Sequence, residues 1–290
     1  MVLVALFWGG TFIAGRVISA AINPLDGAAL RFIIGGAGLA LALGRAGGWS
    51  KVHRRDLWLL VLMGLTGIVA YNLFFFAGMR YTSATRASLI NANNPIGIML
   101  GAWLIFGERL GPRHLGGIAL SLAGAMMVVL DRPDAGLVNS RLGDLLILGA
   151  ALSWVAYTLL AHCVLARLNA LVATTYSTLA GMAILVVCAA PFATLDKLRA
   201  IPLLVWGASA FVGICATTLS FTWFLDGVTV LGASRASQFI NLVPVFAVLL
   251  SVLLLGERPS LLSLMGGLLV IGGLLLTQSA SRRPAPPAAS

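Results

Sequence analysis

Ser88, Asn91 and then Asn94 or Pro95 recur at helical spacing inside an otherwise apolar stretch. Ser237 or Gln238, then Asn241 and Pro244, repeat the pattern later in the chain. Residues three or four apart share one face of a helix. An unpaired amide in lipid is expensive, so such a face must look into protein or water. These two faces can hydrogen-bond a polar solute; the plainer alternative is that they join helices, worth about 0.6 kcal/mol per contact. Pro95 and Pro244 each remove a backbone donor near the middle of an apolar run and loosen the helix there. Paired breaks at corresponding places in two halves of a chain point to a transport site. Aromatic residues form a second set. Trp8 and Thr11 lie one turn apart, and Trp154 and Tyr157 sit equivalently. Tyr71 with Phe75, and Thr218 with Phe221 or Thr222, are further one-turn pairs. Aromatic walls suit apolar side chains and hold an ammonium group by cation–π contact; simple packing or an interface belt is the alternative. Glu108-Arg109 and Glu257-Arg258 end apolar runs and read as terminators and candidate gate contacts.

The elements that must position these residues follow from composition. The chain has 290 residues, 60% hydrophobic and only 10% charged, with a mean hydropathy of +1.01. A soluble domain is about 25% charged, so an ordinary soluble enzyme is excluded. A disordered chain needs low hydrophobicity and is excluded too. What remains is an all-α integral membrane protein, with the lipid bilayer as its first partner. A spanning helix needs roughly 20 apolar residues, and ten runs qualify, over about 2–21, 27–44, 57–79, 85–106, 114–130, 142–163, 170–191, 203–229, 234–255 and 261–278. The first run contains Arg16 and has no basic leader, so it is expected to stay as a span and not act as a cleaved signal. Residues 279–290 are rich in Pro, Ala and Ser and are expected to be a disordered tail.

Charge sets the orientation. With the N-terminus in the cytoplasm, the inner segments carry ten Lys or Arg and the outer loops seven, Arg80 and Arg86 among the latter. Lys51-Val52-His53-Arg54-Arg55 is the strongest cluster, and both termini are therefore expected on the cytoplasmic side. The net charge of +10 is scattered at helix ends, so no nucleic-acid partner is expected. Arg16 and Arg31 lie within spans close enough to their ends to snorkel, although an intramembrane charge is by default functional. Cys163, Cys188 and Cys215 read as small packing residues, with neither disulfide nor metal spacing. No metal or other cofactor is expected.

The chain repeats itself. Arg86-Ala87-Ser88 recurs as Arg235-Ala236-Ser237, Pro95 as Pro244, Gly107-Glu108-Arg109 as Gly256-Glu257-Arg258, and Gly117 and Gly124 as Gly266 and Gly273, all 149 residues on. Ala5-Leu6-Phe7-Trp8 matches Ala151-Leu152-Ser153-Trp154 at a spacing of 146. Chance repetition of Leu, Ala and Gly does not produce these triplets at one offset. The reading is a first five-helix repeat over 1–130, a linker over 131–141 and a second repeat over 142–278. Five is odd, so the second copy enters the membrane from the opposite side. Inverted repeats place a site near the midplane between them. Gly116, Gly117, Gly124, Gly266, Gly267, Gly272 and Gly273 in spans five and ten read as close helix packing. Gly9-Gly10 becomes Val155-Ala156, so the first and sixth helices cannot pack identically.

Trp8-Gly9-Gly10-Thr11-Phe12, Ala29-Leu30-Arg31-Phe32 and the twice-used Gly-Glu-Arg resemble the drug/metabolite transporter superfamily, EamA type, over nearly the whole chain. The resemblance implies ten helices, a bacterial inner membrane, and transport, often export, of metabolites such as amino acids. One branch exports amino acids, aromatic ones included, and this chain could belong to it. Other metabolites or cationic drugs are the alternative cargo. The oligomeric state is not readable.

There is no phosphate loop of the GxxxxGK[ST] type, so the expectation is secondary transport by alternating access. Proton-coupled carriers usually need an intramembrane acid or His. Asp26, Asp56, Asp131, Asp134, Asp144 and Asp196 all fall at span ends or in loops, leaving Asp226 and His162 as inner candidates. Facilitated, gradient-driven export is expected. An intramembrane lipid-modifying enzyme is the remote alternative, resting on Asp131-Arg132-Pro133-Asp134 as an isolated DxxD. A passive channel is the third, distinguished by the absence of saturation and counterflow.

Overall fold

The computed structural model describes residues 1–49, 52–108, 110–131, 139–231 and 239–281. Their regular secondary structure is helical, with no strand among the described residues. Nine helices among them are long and apolar enough to cross a membrane, and Phe239–Leu255 is a shorter tenth. They are Val2–Ala21, Pro24–Arg45, Arg54–Gly78, Ala84–Phe106, Pro112–Leu130, Ser140–Leu165, Ala170–Phe192, Leu203–Phe224 (helical on to Leu231), Phe239–Leu255 and Leu261–Ser279, called spans one to ten below. All ten sit within a few residues of the apolar runs. Several start earlier than the runs because polar caps begin the helix. Asn23 accepts from the Asp26 amide ahead of span two, and Ser83 from the Arg86 amide ahead of span four. Leu104, Leu130, Leu203 and Leu268 are 70–86% exposed, which suits a surface solvated by lipid. Successive spans alternate in direction. Loops therefore fall on a near face, where the chain begins, and a far face carrying residues 79–83, 193–202 and 256–260.

Spans five and ten show how the halves relate. A Cβ on Gly117 would sit 2.6 Å from the Gly273 carbonyl oxygen, and one on Gly266 would sit 2.7 Å from that of Gly124. Gly117 and Gly266 are repeat-related, as are Gly124 and Gly273. Each copy thus meets the other copy's second glycine, the crosswise pattern of a two-fold interface. Span one against span nine is likewise answered by span six against span four. Gly9 packs against Phe246, where a Cβ would meet that side chain's Cβ at 2.8 Å. At the corresponding contact Val155 packs against Gly97, where an added Cβ would meet Val155 Cγ2 at 2.6 Å. The glycine has changed sides of the interface. This is how span six accommodates the loss of the glycine pair found in span one.

Spans three and eight contain π-helical turns at equivalent places, Gly64–Ala70 and Phe211–Leu219. Such wide turns frequently mark functional sites. Side chains serve the carbonyls five residues back. Thr217 donates to Val212 O at 2.9 Å and Ser220 to Cys215 O at 2.8 Å.

Several charges stand elsewhere than composition suggested. Arg86, counted among the loop charges, is 2% exposed and lies 2.5 Å from the Asp144 carboxylate, which also accepts from Thr82 Oγ1 at 2.7 Å. Asp144, the fifth residue of span six, is therefore a span-end acid that is also a buried counter-ion. Asp56 is buried as well, 2.6 Å from Arg167 Nη2. That hydrogen bond pushes the Arg167 guanidinium up. Arg16 does not snorkel: its Nη1 donates to Met79 O at 2.5 Å and Thr82 O at 3.1 Å, capping the end of span three. Asp131 accepts from Ser260 and, at 2.7 Å, from Ser263, so the first acid of the DxxD joins spans five and ten. Asp134, Arg235, Ser237 and the last nine residues of the tail lie outside the described residues, as do Arg109 and Gln238.

Candidate functional site

Span four breaks where the polar face predicted it. Its first helix, Ala84–Asn91, ends at Ala92–Asn93, and Asn94–Phe106 begins a new one with Pro95 in its first turn. Proline suits a helix start, where its missing N–H has no partner to lose. Asn93 steadies the break: its amide donates to Leu89 O at 3.2 Å and accepts from Ser121 Oγ at 2.8 Å. In span nine the described residues begin with a 3₁₀ turn at Phe239–Asn241, and Pro244 lies in the first turn of Leu242–Leu255.

At the break of span four the aromatic and amide sets meet. Asn91 Nδ2 donates to the Tyr71 hydroxyl at 3.3 Å, and Asn94 Nδ2 to Asn91 Oδ1 at 3.5 Å. Asn94 Oδ1 is buried without a partner. The Tyr71 ring lies 5.5 Å from Trp154, which stacks on Tyr157 at 4.9 Å. Tyr71 also stacks on Phe75 at 5.9 Å. Phe75 itself is fully buried against Phe12 and Phe76, so it backs the cluster from behind. The cluster offers amide donors and acceptors beside flat apolar walls, and spans three and four of one half meet span six of the other in it.

Two neighbours come from residues that spacing did not select. Arg31 is buried and does not snorkel; its Nη1 donates to Asn72 Oδ1 at 2.9 Å. Asn72 Nδ2 donates to Ile68 O at 2.8 Å, a carbonyl of the π turn. An isolated Asn in an aromatic-rich run was the available signal for Asn72. The sequence shows no register for a π turn, so nothing linked it to Arg31.

The other selected residues stand apart. Trp8 and Trp154 are not brought together. Trp8 Nε1 donates to Ala216 O at 2.9 Å, and its ring lies against Phe221 and Phe224 at 6.0 and 5.5 Å. Thr11 donates to Phe7 O within its own helix. Thr218 donates across to Gly35 O at 3.2 Å, joining spans eight and two. Ser88 donates to Thr85 O at 2.8 Å and is buried. Asn241 exchanges amide bonds with Gln278, at 3.2 and 3.5 Å. At the far face the Glu257 carboxylate accepts from the amides of Ala84 and Thr85, at 2.7 and 3.0 Å, capping span four. Glu108 and Arg258 are exposed. His162 lies against the Phe106 ring at 4.7 Å.

A cavity of about 500 Å³ opens at the far face between the span one–two and span seven–eight turns. Its lining includes Asn23, Asp26 and Lys197 but none of the cluster residues above. No group of His, Cys, Asp and Glu suited to a metal ion occurs among the described residues.

A bundle of long apolar helices, one of them broken within its span, is the architecture of a multi-pass membrane protein. Residues 1–130 and 141–278 both match the EamA-like transporter family, and the chain belongs to it. It is 28% identical to an uncharacterized transporter, YyaM, of Bacillus subtilis (strain 168), over 97% of this chain and 92% of that protein. It is 27% identical to a probable terminal-alkyne amino-acid exporter of Streptantibioticus cattleyicolor, over 95% of this chain and 91% of that one. A solved crystal structure shares the fold with a TM-score of 0.66 at 24% identity, covering 97% and 96% of the two chains.

Proposed function

We propose that this transporter exports amino acids, aromatic ones included, across the cytoplasmic membrane by alternating access, with both termini in the cytoplasm. The observation that carries the proposal is the Tyr71–Asn91–Asn94–Trp154–Tyr157 cluster at the break of span four. Its amides suit the polar end of an amino acid, and its rings suit an apolar side chain or an ammonium group. The likeness to a probable amino-acid exporter supports the same substrate class. The two buried carboxylates among the described residues, Asp56 and Asp144, are both ion-paired to arginine, which supports facilitated transport without obligatory proton coupling. Of the two inner candidates, His162 packs on an aromatic ring and Asp226 is exposed.

Counterflow tests this. Proteoliposomes loaded with unlabelled Phe, Trp, Met, Thr or Lys should take up the labelled amino acid saturably, and Trp154→Ala or Asn91→Ala should abolish that uptake. Counterflow with sugars, nucleosides or cationic drugs alone would reassign the substrate. Unchanged uptake in both variants would remove the site from this cluster.

A further inference from the structure

Arg31 is the eighth residue of span two, well inside the apolar region, and 8% exposed. A guanidinium keeps its charge in almost any surroundings, and a buried charge without a counter-charge costs several kcal/mol. The other buried arginine among the described residues, Arg86, has Asp144. Among the described residues no carboxylate pairs with Arg31. Its one protein hydrogen bond there is to the neutral amide of Asn72. That amide cannot turn away, because the Ile68 carbonyl of the π turn holds its Nδ2. Bonding through Nη1 leaves the opposite edge of the guanidinium, Nε and Nη2, for something else. Nε is buried and has no partner. This edge presents two parallel N–H groups, the fork that grips a carboxylate in bidentate fashion. Asn72 adjoins Tyr71 in the chain, and Tyr71 holds Asn91 and faces Trp154.

We infer that Arg31 is a carboxylate receptor beside the aromatic cluster, oriented by Asn72 and completed by the carboxylate of the transported molecule. This deepens the amino-acid reading and rests on it for the source of the carboxylate. It assigns the polar end of the substrate to Arg31 and leaves the Tyr71–Trp154–Tyr157 rings to the side chain or the ammonium group.

The test is ligand binding to the full-length protein in nanodiscs, in a chloride-free Hepes buffer, read by tryptophan fluorescence and by melting temperature. The probes are phenylalanine, 3-phenylpropionate, which lacks the amine, phenethylamine, which lacks the carboxylate, and chloride. Phenylalanine and 3-phenylpropionate should bind, and phenethylamine should bind about tenfold more weakly or worse, the effect of losing one charge-assisted contact. Arg31→Lys keeps the charge without the fork and should weaken both carboxylates by about tenfold. Asn72→Asp is the decisive variant because it supplies the missing counter-charge within the protein. It should melt higher than the parent and bind both carboxylates about tenfold more weakly or worse. Equal binding of phenylalanine and phenethylamine overturns the inference. So does Asn72→Asp with unchanged carboxylate affinity, or a panel in which neither carboxylate binds. Stabilisation by chloride alone reduces the site to an inorganic anion site and overturns it too. Counterflow of a neutral or cationic solute, undiminished in Arg31→Gln, would sink the inference while leaving the transporter reading intact.

Discussion

The contact between Glu257 and the start of span four joins two elements from different halves at the far face. Its strength follows from geometry. Two backbone N–H groups, of Ala84 and Thr85, donate to the two oxygens of one carboxylate at 2.7 and 3.0 Å. A hydrogen bond to a charged group contributes about 1.5–3 kcal/mol, and a negative charge at a helix N-terminus adds about 0.3–1 kcal/mol. Glu257→Gln keeps one acceptor oxygen, loses the other and loses the charge. Glu257 is half-buried, so the lower ends apply, and the substitution removes about 2 kcal/mol. Only the state in which spans four and nine touch at this face is weakened. The equilibrium then moves toward opening there by about 30-fold. Ala84 is fully buried and small, so Ala84→Cys in a background where Cys163, Cys188 and Cys215 are serine reports the opening. An impermeant maleimide should label this cysteine roughly 30-fold faster, or up to the ceiling of full exposure, in Glu257→Gln. Equal labelling rates, with equal melting temperatures, would refute the reasoning and leave Glu257 a mere helix cap.

Asp144→Asn strands the buried Arg86 charge and should destabilise the protein by about 3–5 kcal/mol, seen as a lower melting temperature in detergent; Asp144→Leu with Arg86→Met should recover much of the loss. Gly124→Val drives a side chain into the backbone of span ten and should lower the melting temperature sharply. Gly272→Ala, whose new Cβ meets nothing nearer than Leu120 at 3.8 Å, should leave it unchanged. An imposed pH gradient should not drive uphill accumulation of amino acids, and robust accumulation would refute uncoupled transport.

The spans were legible because lipid demands long apolar runs, while several starts were placed late because the caps, Asn23 and Ser83 among them, are polar and fall outside such runs. The break at Pro95 was legible from one proline, and its companion at Pro244 strengthened it. The amides of Asn91 and Asn94 were legible as a helical face. Arg86 was misplaced in a loop because its partner, Asp144, lies 58 residues away and no local pattern joins them. The π turns left no trace, since a wide turn and an ordinary one use the same apolar residues. Asn72 and the grip on Arg31 were lost with them. The equivalence of Trp8 and Trp154 along the chain was real, but their neighbours differ, Phe221 and Phe224 for one and Tyr71 and Tyr157 for the other. A repeat fixes backbone positions more firmly than it fixes side-chain company.

The exchange of glycine between Gly9–Phe246 and Val155–Gly97 bears on how the two halves can associate. Two copies of the first half, assembled alone, would set Gly9 against Gly97 and leave a void at each contact. Two copies of the second would set Val155 against Phe246, bulk against bulk. Neither half is self-complementary there, while each is complementary to the other. At this contact the halves fit each other and not copies of themselves, so fragments expressed separately should recombine as unlike pairs.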